Sequence, residues 1–533
     1  MSPGSSGTFE HERVMDPACL RHTEIPGTSK LFADLTYHFD RVARFYRHNP
    51  HDRESYASAA REIQYRDDRR AAVARVLEAQ NPGNPLVGRF AQPGTVAVLT
   101  GQQVGLFSGP AYTIYKALTA ARLAEDLNTS GIPAVPIFWL ATEDHDFPEV
   151  DHVWIFDAGH HPVALRTEAP ANWQGKQRPA GTFPIEHPPV EELRKALAGF
   201  PYGEEVTAAV AEAYQPGVSM GAGFRALLTK LLGRIGVLVV DPLDPQLRNV
   251  GAPFMAEALA AAPDLKKSLL ARNKELVAAG YHAQVNIEEN SSLFFLLENG
   301  ERATLRKKDA EFAALKDRAA DVSPNALLRP VWQDYLFPTI AYVGGPAELA
   351  YLAQSQVIYD RLLGRMPVAA SRTSFTLLAA RAAKLLQRYG LTLTDTLAPE
   401  EAVKDRIAHA LVPNAVASLF EETEAEVARG LDRLGAGLDQ FDPTLAASLS
   451  KSRGKILHQF AKMRKKTERE TLRRDARASE EARYLSSQLY PHRHMQERFY
   501  SILPFLAQHG LDLVDRLYDV VQVDCPDHRV VTL

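Results

Sequence analysis

The sequence predicts an interrupted doubly wound α/β domain followed by an antiparallel helical hairpin, and three patterns carry that expectation. An apolar strand, a glycine-rich turn, an amphipathic helix and a second apolar strand follow one another between Thr95 and Leu140. That order is a βαβ unit, which requires a parallel sheet and a right-handed crossover. A strand, a Gly-Gly turn and a proline-primed helix recur from Pro338 to Glu348. Beyond Gly390 apolar residues repeat every seven positions, first as Phe420, Val427 and Leu434 with Leu431 and Leu438 between them, then as Leu449, Ile456 and Met463 after the Phe441-Asp-Pro443 break. Heptads on either side of a short turn make a hairpin or coiled coil.

Taken in order, Thr36 to Ala79 reads as polar and helical and ends at Asn81-Pro82-Gly83-Asn84-Pro85. The βαβ unit follows. Residues 151–232 form a first insertion of mixed short elements, after which Gly236 to Val240 gives another apolar strand. A second insertion occupies about 253–325, with helices from Pro253 to Ala279 and a strand-like pair around Gln284 to Leu297 that turns at Glu298-Asn299-Gly300. Asn325 to Tyr342 and Pro367 to Thr373 restore the α/β pattern. The domains expected are thus a core of residues 1–389, a helical coiled-coil domain of 390–490 and a closing segment of 491–533. In that last segment Val520 to Leu533 alternates like a small hairpin around Cys525-Pro526-Asp527.

The bulk properties narrow the class of function. The chain has 533 residues, 45% of them hydrophobic and 24% charged, the profile of an ordinary globular protein with room for roughly three domains. A net charge of -4 argues against a surface built for nucleic acid or anionic membrane. The basic run from Lys451 to Arg477 lacks interleaved aromatics and reads as the solvated face of a coiled coil opposite Glu421, Glu422, Glu424 and Glu426. Two cysteines, Cys19 and Cys525, give no disulfide framework and no metal-binding pair, which fits a reducing cytoplasm. The polar N-terminus shows no signal peptide, and no apolar stretch reaches membrane-spanning length.

Four segments carry chemistry. In Thr100-Gly-Gln-Gln-Val-Gly-Leu-Phe-Ser-Gly-Pro, the glycines Gly101, Gly105 and Gly109 lie between a strand and a helix primed by Pro110. Such a turn offers backbone amides and a positive helix end to a phosphate or carboxylate. Gln102, Gln103, Ser108 and Lys116 add polar groups, although the spacing is neither the Walker loop nor GxGxxG. In Trp139-Leu-Ala-Thr-Glu143-Asp144-His145-Asp146, four consecutive ionisable residues end an apolar strand and need partners or ligands. On an extended chain Glu143 and His145 share one face and Asp144 and Asp146 the other, so the four cannot grip one ion, and metal ligation is not expected. His145, flanked by carboxylates that would raise its pKa, is the candidate proton acceptor, with Asp144 and Asp146 beside it as catalytic candidates. Arg329, Gln333 and Asp334 precede Tyr342, Gly344, Gly345 and Glu348 in the third segment, where the glycines permit close approach and Arg329 suits a bidentate anion. Ser371 and Arg372 form a fourth, weaker anion candidate.

Together GQQVGLFSGPAYTIYK, FWLATEDHDFPEV, LRPVWQDYLFPTIAYVGGPAELAY and the heptad hairpin resemble the cysteine-adding enzymes of bacillithiol biosynthesis, from about Phe32 to the C-terminus. The resemblance implies a Rossmann-like core related to class I synthetases and nucleotidyl transferases, with two connecting insertions and a coiled coil that serves a homodimer. It implies a ligase that joins the carboxyl of cysteine to the amine of glucosaminyl malate, and a cysteinyl-adenylate made from ATP and Mg²⁺. Neither a HIGH nor a KMSKS signature is present. Two rival readings are a synthetase or nucleotidyl transferase of another substrate and a non-catalytic coiled-coil scaffold.

Overall fold

The computed structural model describes residues 18–169, 173, 177–305 and 313–533. The expectation about the first 17 residues, and parts of both insertions, lie outside them. Residues up to Thr376 together with Glu497–Val531 make one compact unit, and Leu377–Gln496 with the last two residues make a second.

Five parallel strands organise the first unit: β1 (Val96–Gln102), β2 (Ala134–Leu140), β3 (Leu238–Val240), β4 (Thr339–Gly344) and β5 (Val368–Ser371). Their order across the sheet is β5-β4-β1-β2-β3. The chain therefore winds outward from β1 in one direction and returns to wind outward in the other, which places a topological switch point between β1 and β4. Both faces of β1 are buried, as expected for a strand covered on two sides. Ala97 and Leu99 join one apolar cluster, and Val96 and Val98 join the other.

Helix α1 (Tyr112–Thr129) crosses from β1 to β2, α2 (Arg329–Leu336) precedes β4, and α3 (Pro346–Leu362) crosses from β4 to β5. Gly345 begins α3, Pro346 supplies a preset first turn, and Glu348 reaches back to accept the Gly345 N–H at 2.9 Å. Thr100 Oγ1 donates to the Val343 carbonyl at 2.8 Å and ties β1 to β4 near the switch point.

Several local expectations are corrected. The stretch 36–79, read as helical, is broken into the end of Lys30–Tyr37, two short 3-10 turns at Phe39–Arg41 and Ala43–Phe45, and the helices Arg53–Glu62 and Asp67–Gln80. Pro50 has no N–H to continue a helix, and Asp52 caps a new one by accepting from Glu54 N at 3.0 Å. The helix placed at Pro253 begins at Pro245, because Asp244 accepts from Gln246 N at 2.8 Å and Leu247 N at 3.0 Å, and Pro253 lies inside it. The strand pair of the second insertion is Phe294–Glu298 with Glu301–Thr304, on either side of the Asn299-Gly300 turn. Both turn residues have positive φ, 54° and 74°, as a two-residue hairpin turn demands. The expected C-terminal hairpin is absent among the described residues. His528–Thr532 is a single strand, and it pairs antiparallel with Ala18–Leu20 at the other end of the chain. Pro526 offers no donor for a local partner.

In the second unit α4 (Asn414–Phe441) and α5 (Pro443–Arg474) form the expected antiparallel hairpin. Asp442 caps α5 by accepting from Thr444 N at 2.8 Å. Arg453 meets Asp432 at 3.1 Å and Arg464 meets Glu424 at 3.2 Å, which fixes the register. Asp475 ends α5 and caps the next helix, Ala476–Leu489, by accepting from Ala478 N at 3.0 Å. Phe420, Val427, Leu431, Leu438, Leu449, Leu457 and Phe460 are half-buried between the arms. Leu434 (52% exposed), Ile456 (36%) and Met463 (52%), assigned by the heptads to the same seam, face solvent instead. No helix among the described residues is long and apolar enough to cross a membrane.

Candidate functional site

At the carboxyl ends of β1 and β4 the chain leaves a cavity of about 260 Å³, the position where open α/β sheets bind ligands. Gly101 and Gln102 of β1 line one side, and Tyr342 of β4 with Gly345 and Glu348 line the other. Glycine is required at 101 because an added Cβ would lie 2.7 Å from the Trp139 carbonyl of β2. The strands could not then pair as they do.

Lys116, on the second turn of α1, is almost fully buried and points back at the strand end. Its Nζ donates to the Gly101 carbonyl at 2.9 Å and to Gln102 Oε1 at 2.8 Å, and it forms an ion pair with Glu348. Burial pulls the Lys116 ammonium down, opposed by Glu348. Glu348 also accepts from Tyr342 Oη at 3.1 Å. These two charges cancel each other inside the wall. Arg372, whose N–H donates to the Gly344 carbonyl at 3.0 Å after β5, is likewise neutralised by Glu497. Tyr112 lies beneath the guanidinium groups of Arg372 and Arg498, at 5.3 and 5.9 Å from its ring centre, and accepts from Gln102 Nε2 at 3.1 Å.

Arg329 differs from Lys116 and Arg372. It enters the cavity from the start of α2, donates through Nη2 to Tyr351 Oη at 2.8 Å, and has a buried Nε with no hydrogen-bond partner. No carboxylate lies within ion-pair distance of it among the described residues. Two neighbouring polar atoms of the lining, Gln333 Oε1 and Trp139 Nε1, are also buried and unpartnered. Arg329 is half-buried, and a buried guanidinium N–H without an acceptor is costly to maintain unless a ligand supplies one. On the β2 side Asp144 lines the cavity and accepts from Gln103 Nε2 at 2.9 Å; the same amide reaches Glu149 at 2.5 Å. Burial pushes the Asp144 carboxyl up, but Gln103 and Arg302 outweigh it and hold the group below its usual range.

Of the residues singled out in the sequence, Gly101, Gln102, Gln103, Lys116, Asp144, Arg329, Gln333, Tyr342, Gly345, Glu348 and Arg372 are thus brought together. The others are elsewhere. Gly105 and Gly109 face each other in the turn, with a Cβ at Gly105 only 3.2 Å from Gly109 Cα, and Ser108 is buried beside them. Glu143 pairs with Arg248 in the interior. Asp146 is exposed at the start of the short helix Phe147–Val150. Asp334 is buried against Arg365, and burial raises its carboxyl to about 6. Gly344 contributes its carbonyl to Arg372, and Ser371 lines a separate small recess with His51 and Thr119.

For His145 the expected direction of the pKa shift is corrected. His145 does not line the cavity, and its Nδ1 accepts from Arg302 Nη1 at 2.9 Å, which leaves the proton of the neutral ring on Nε2. Its pKa is lowered and not raised: burial is the larger cause, Arg302 the next, and Asp144 and Asp146 only oppose them. The sequence shows the carboxylates beside it and hides an arginine 157 positions away. Tyr112, Trp139, Tyr351 and Arg498 line the cavity without having been singled out. Helical spacing could have found two of them, since Tyr112 is four residues from Lys116 and Tyr351 three from Glu348. Among the described residues no group of three or more His, Cys, Asp or Glu could hold a metal ion.

Comparison with known proteins gives a consistent picture. Residues 15–373 match the family model of the bacillithiol biosynthesis BshC N-terminal Rossmann-like domain, and 375–533 match that of the BshC C-terminal coiled-coil domain. A protein of Solibacter usitatus (strain Ellin6076) is 51% identical over 528 residues, covering 97% of this chain and 100% of its own. Relatives from Koribacter versatilis (strain Ellin345) and Salinibacter ruber (strain DSM 13855 / M31) are 33% and 31% identical, covering 97% and 94% of this chain and 100% and 96% of their own. All three carry the name "Putative cysteine ligase BshC".

Proposed function

The chain belongs to the BshC family of bacillithiol biosynthesis, and on that premise we propose that it is a ligase forming an amide between the carboxyl of cysteine and the amine of glucosaminyl malate, with the cavity between β1 and β4 as its active site. The unpaired Arg329 guanidinium carries this reading. Every substrate of the reaction is anionic at one end, and Arg329 can take a carboxylate or phosphate bidentately where Lys116 and Arg372 already have their anions.

Asp144, on the opposite wall, stays ionised and binds the acceptor's ammonium, holding the nitrogen near the cysteine carboxyl at the Arg329 side. Gln103 fixes the rotamer of Asp144. Trp139 and Tyr112 keep water from the reacting carbon by filling the walls. ATP with Mg²⁺, when bound, would supply the leaving group that turns a carboxylate into an acyl donor. The residues fit the anionic part of that pair: Arg329 has a vacant donor edge, and the indole Nε1 of Trp139 is an unpartnered donor. For Mg²⁺ the described residues offer no side-chain cage, which accords with an ion that keeps its waters and leans on phosphates.

The coiled coil supports a homodimer. Leu434 and Phe441, seven residues apart, are 52% and 82% exposed, and Ile456 and Met463, also seven apart, are 36% and 52% exposed. Each pair marks one face of its helix, and a second hairpin would cover these faces.

Isothermal titration of the purified chain with cysteine, glucosaminyl malate and ATP tests the assignment. Binding of all three is expected, with acceptor affinity falling about 10-fold in Asp144→Asn, the loss of one charge-assisted contact. A chain that binds none of the three is a scaffold, and unchanged acceptor affinity in Asp144→Asn removes the role given to that residue.

A further inference from the structure

The only two cysteines of the chain, 506 positions apart, meet at the edge of the first unit, where Cys19 Sγ lies 3.9 Å from Cys525 Sγ. The meeting is built from both sides. Cys19 belongs to the strand Ala18–Leu20, whose ladder with His528–Thr532 sets Cys19 opposite Arg529 and Leu20 opposite His528. Tyr37 ties the two segments to the same helix end, since its hydroxyl donates to Asp527 at 2.7 Å and accepts from His22 N at 2.8 Å. The sulfurs are thus held near van der Waals contact, about 2 Å beyond the length of a disulfide bond. Cys19 is exposed and Cys525 half-buried, and Cys525 lines a small recess with His51, Tyr56 and Asp527. A small reagent can reach both.

We propose that Cys19 and Cys525 are a reversible dithiol–disulfide site, oxidised by exchange with a low-molecular-weight disulfide. One protein thiolate attacks the small disulfide and releases one small thiol, leaving a mixed disulfide. The second protein thiolate attacks the protein sulfur of that mixed disulfide and releases the other small thiol. The protein loses two electrons and two protons, and the small disulfide gains both. Such bonds in a reducing compartment are transient by nature.

The bond clips the two ends of the chain together across the terminal ladder. That ladder carries His528, whose Nδ1 meets Ser374 Oγ at 2.6 Å; Ser374 donates to Glu497 at 2.8 Å, and Glu497 holds Arg372 in the cavity wall. Oxidation therefore stiffens the support of the cavity, whatever reaction takes place there.

The test uses the full chain and hydroxyethyl disulfide, followed by intact mass and peptide mapping without reductant. The expected product has lost two hydrogens, contains one Cys19–Cys525 cross-linked peptide, and returns to the dithiol with dithiothreitol. Cys525→Ser should instead carry a single mercaptoethanol adduct on Cys19. Hydrogen exchange at 528–532 should slow by about 10-fold or more on oxidation. Two independent adducts on the wild-type chain, or cross-links only between chains, would overturn the proposal, and unchanged exchange would sever its connection to the ladder.

Discussion

Arg372 and Glu497, 125 positions apart, form a two-pronged ion pair with Nη1 at 2.9 Å and Nη2 at 2.6 Å from the carboxylate oxygens. The pair joins the end of the central sheet to the returning C-terminal segment. Arg372 faces the cavity, and Glu497 accepts in addition from Phe375 N at 3.0 Å and Ser374 Oγ at 2.8 Å.

This network makes the protein acid-labile in two windows. Burial pushes Glu497 up, but Arg372 outweighs it and holds the carboxyl down at about 2, from an ordinary 4.5. A depressed carboxyl contributes stability that is full above its unfolded value and is lost as pH falls from about 4.5 toward 2. Burial holds His22 and His528 down at about 4, from 6.5. The unfolded chain binds their protons first, so stability declines from about pH 6.5 toward 4. Glu497→Gln should lower stability by about 3 to 5 kcal/mol near neutrality, because it strands the buried guanidinium. It should also abolish the lower window and keep the upper one. Denaturant titrations between pH 7 and pH 3 check both, and a variant with wild-type stability would contradict the pairing.

Two glycines of the cavity should respond unequally to alanine. Gly101→Ala sets a Cβ 2.7 Å from the Trp139 carbonyl and 3.0 Å from its Cβ, contacts that only a shift of β2 relieves. A loss of about 1 to 3 kcal/mol is expected. At Gly345 the nearest atoms to an added Cβ are 3.6 Å away, on Arg372 and Glu348. Gly345→Ala should melt within about 0.5 kcal/mol of wild type. Thermal melts of the two variants side by side decide the matter, and equal destabilisation would mean that the tight approach of β1 and β2 is not the cause.

The hairpin should separate folding from association. Leu434→Asp or Met463→Asp places a charge on an exposed apolar face and should yield a folded monomer by light scattering at micromolar concentration. Val427→Asp buries the charge between α4 and α5 and should weaken the hairpin itself. A wild-type monomer under the same conditions would remove the dimer.

The sequence disclosed the frame of the site better than its wiring. The βαβ unit from Val96 to Leu140 and the Gly-Gly turn before Glu348 are local patterns, and β1, β2 and β4 occur where those patterns place them. The sheet order that makes Arg329 and Asp144 opposite walls of one cavity depends on contacts across more than 180 positions, which no local pattern records. His145 shows the limit most clearly. Its neighbours in sequence are carboxylates, but its neighbour in space is Arg302, and the sign of its pKa shift follows space. The heptads misled in a similar way at Leu434, Ile456 and Met463: a seven-residue period marks a face, and it does not say whether the partner arm or solvent lies against it.

The central claim, that the cavity between β1 and β4 performs cysteine ligation through Arg329, is tested most directly by following product mass with purified chain, cysteine, glucosaminyl malate, ATP and Mg²⁺. The wild-type chain should form the cysteinyl amide, and Arg329→Ala, with its circular dichroism unchanged, should form it about 10 to 100 times more slowly, the range for losing a charged hydrogen-bond partner. Amide formation by Arg329→Ala at the wild-type rate, or none by the wild-type chain under these conditions, would contradict it.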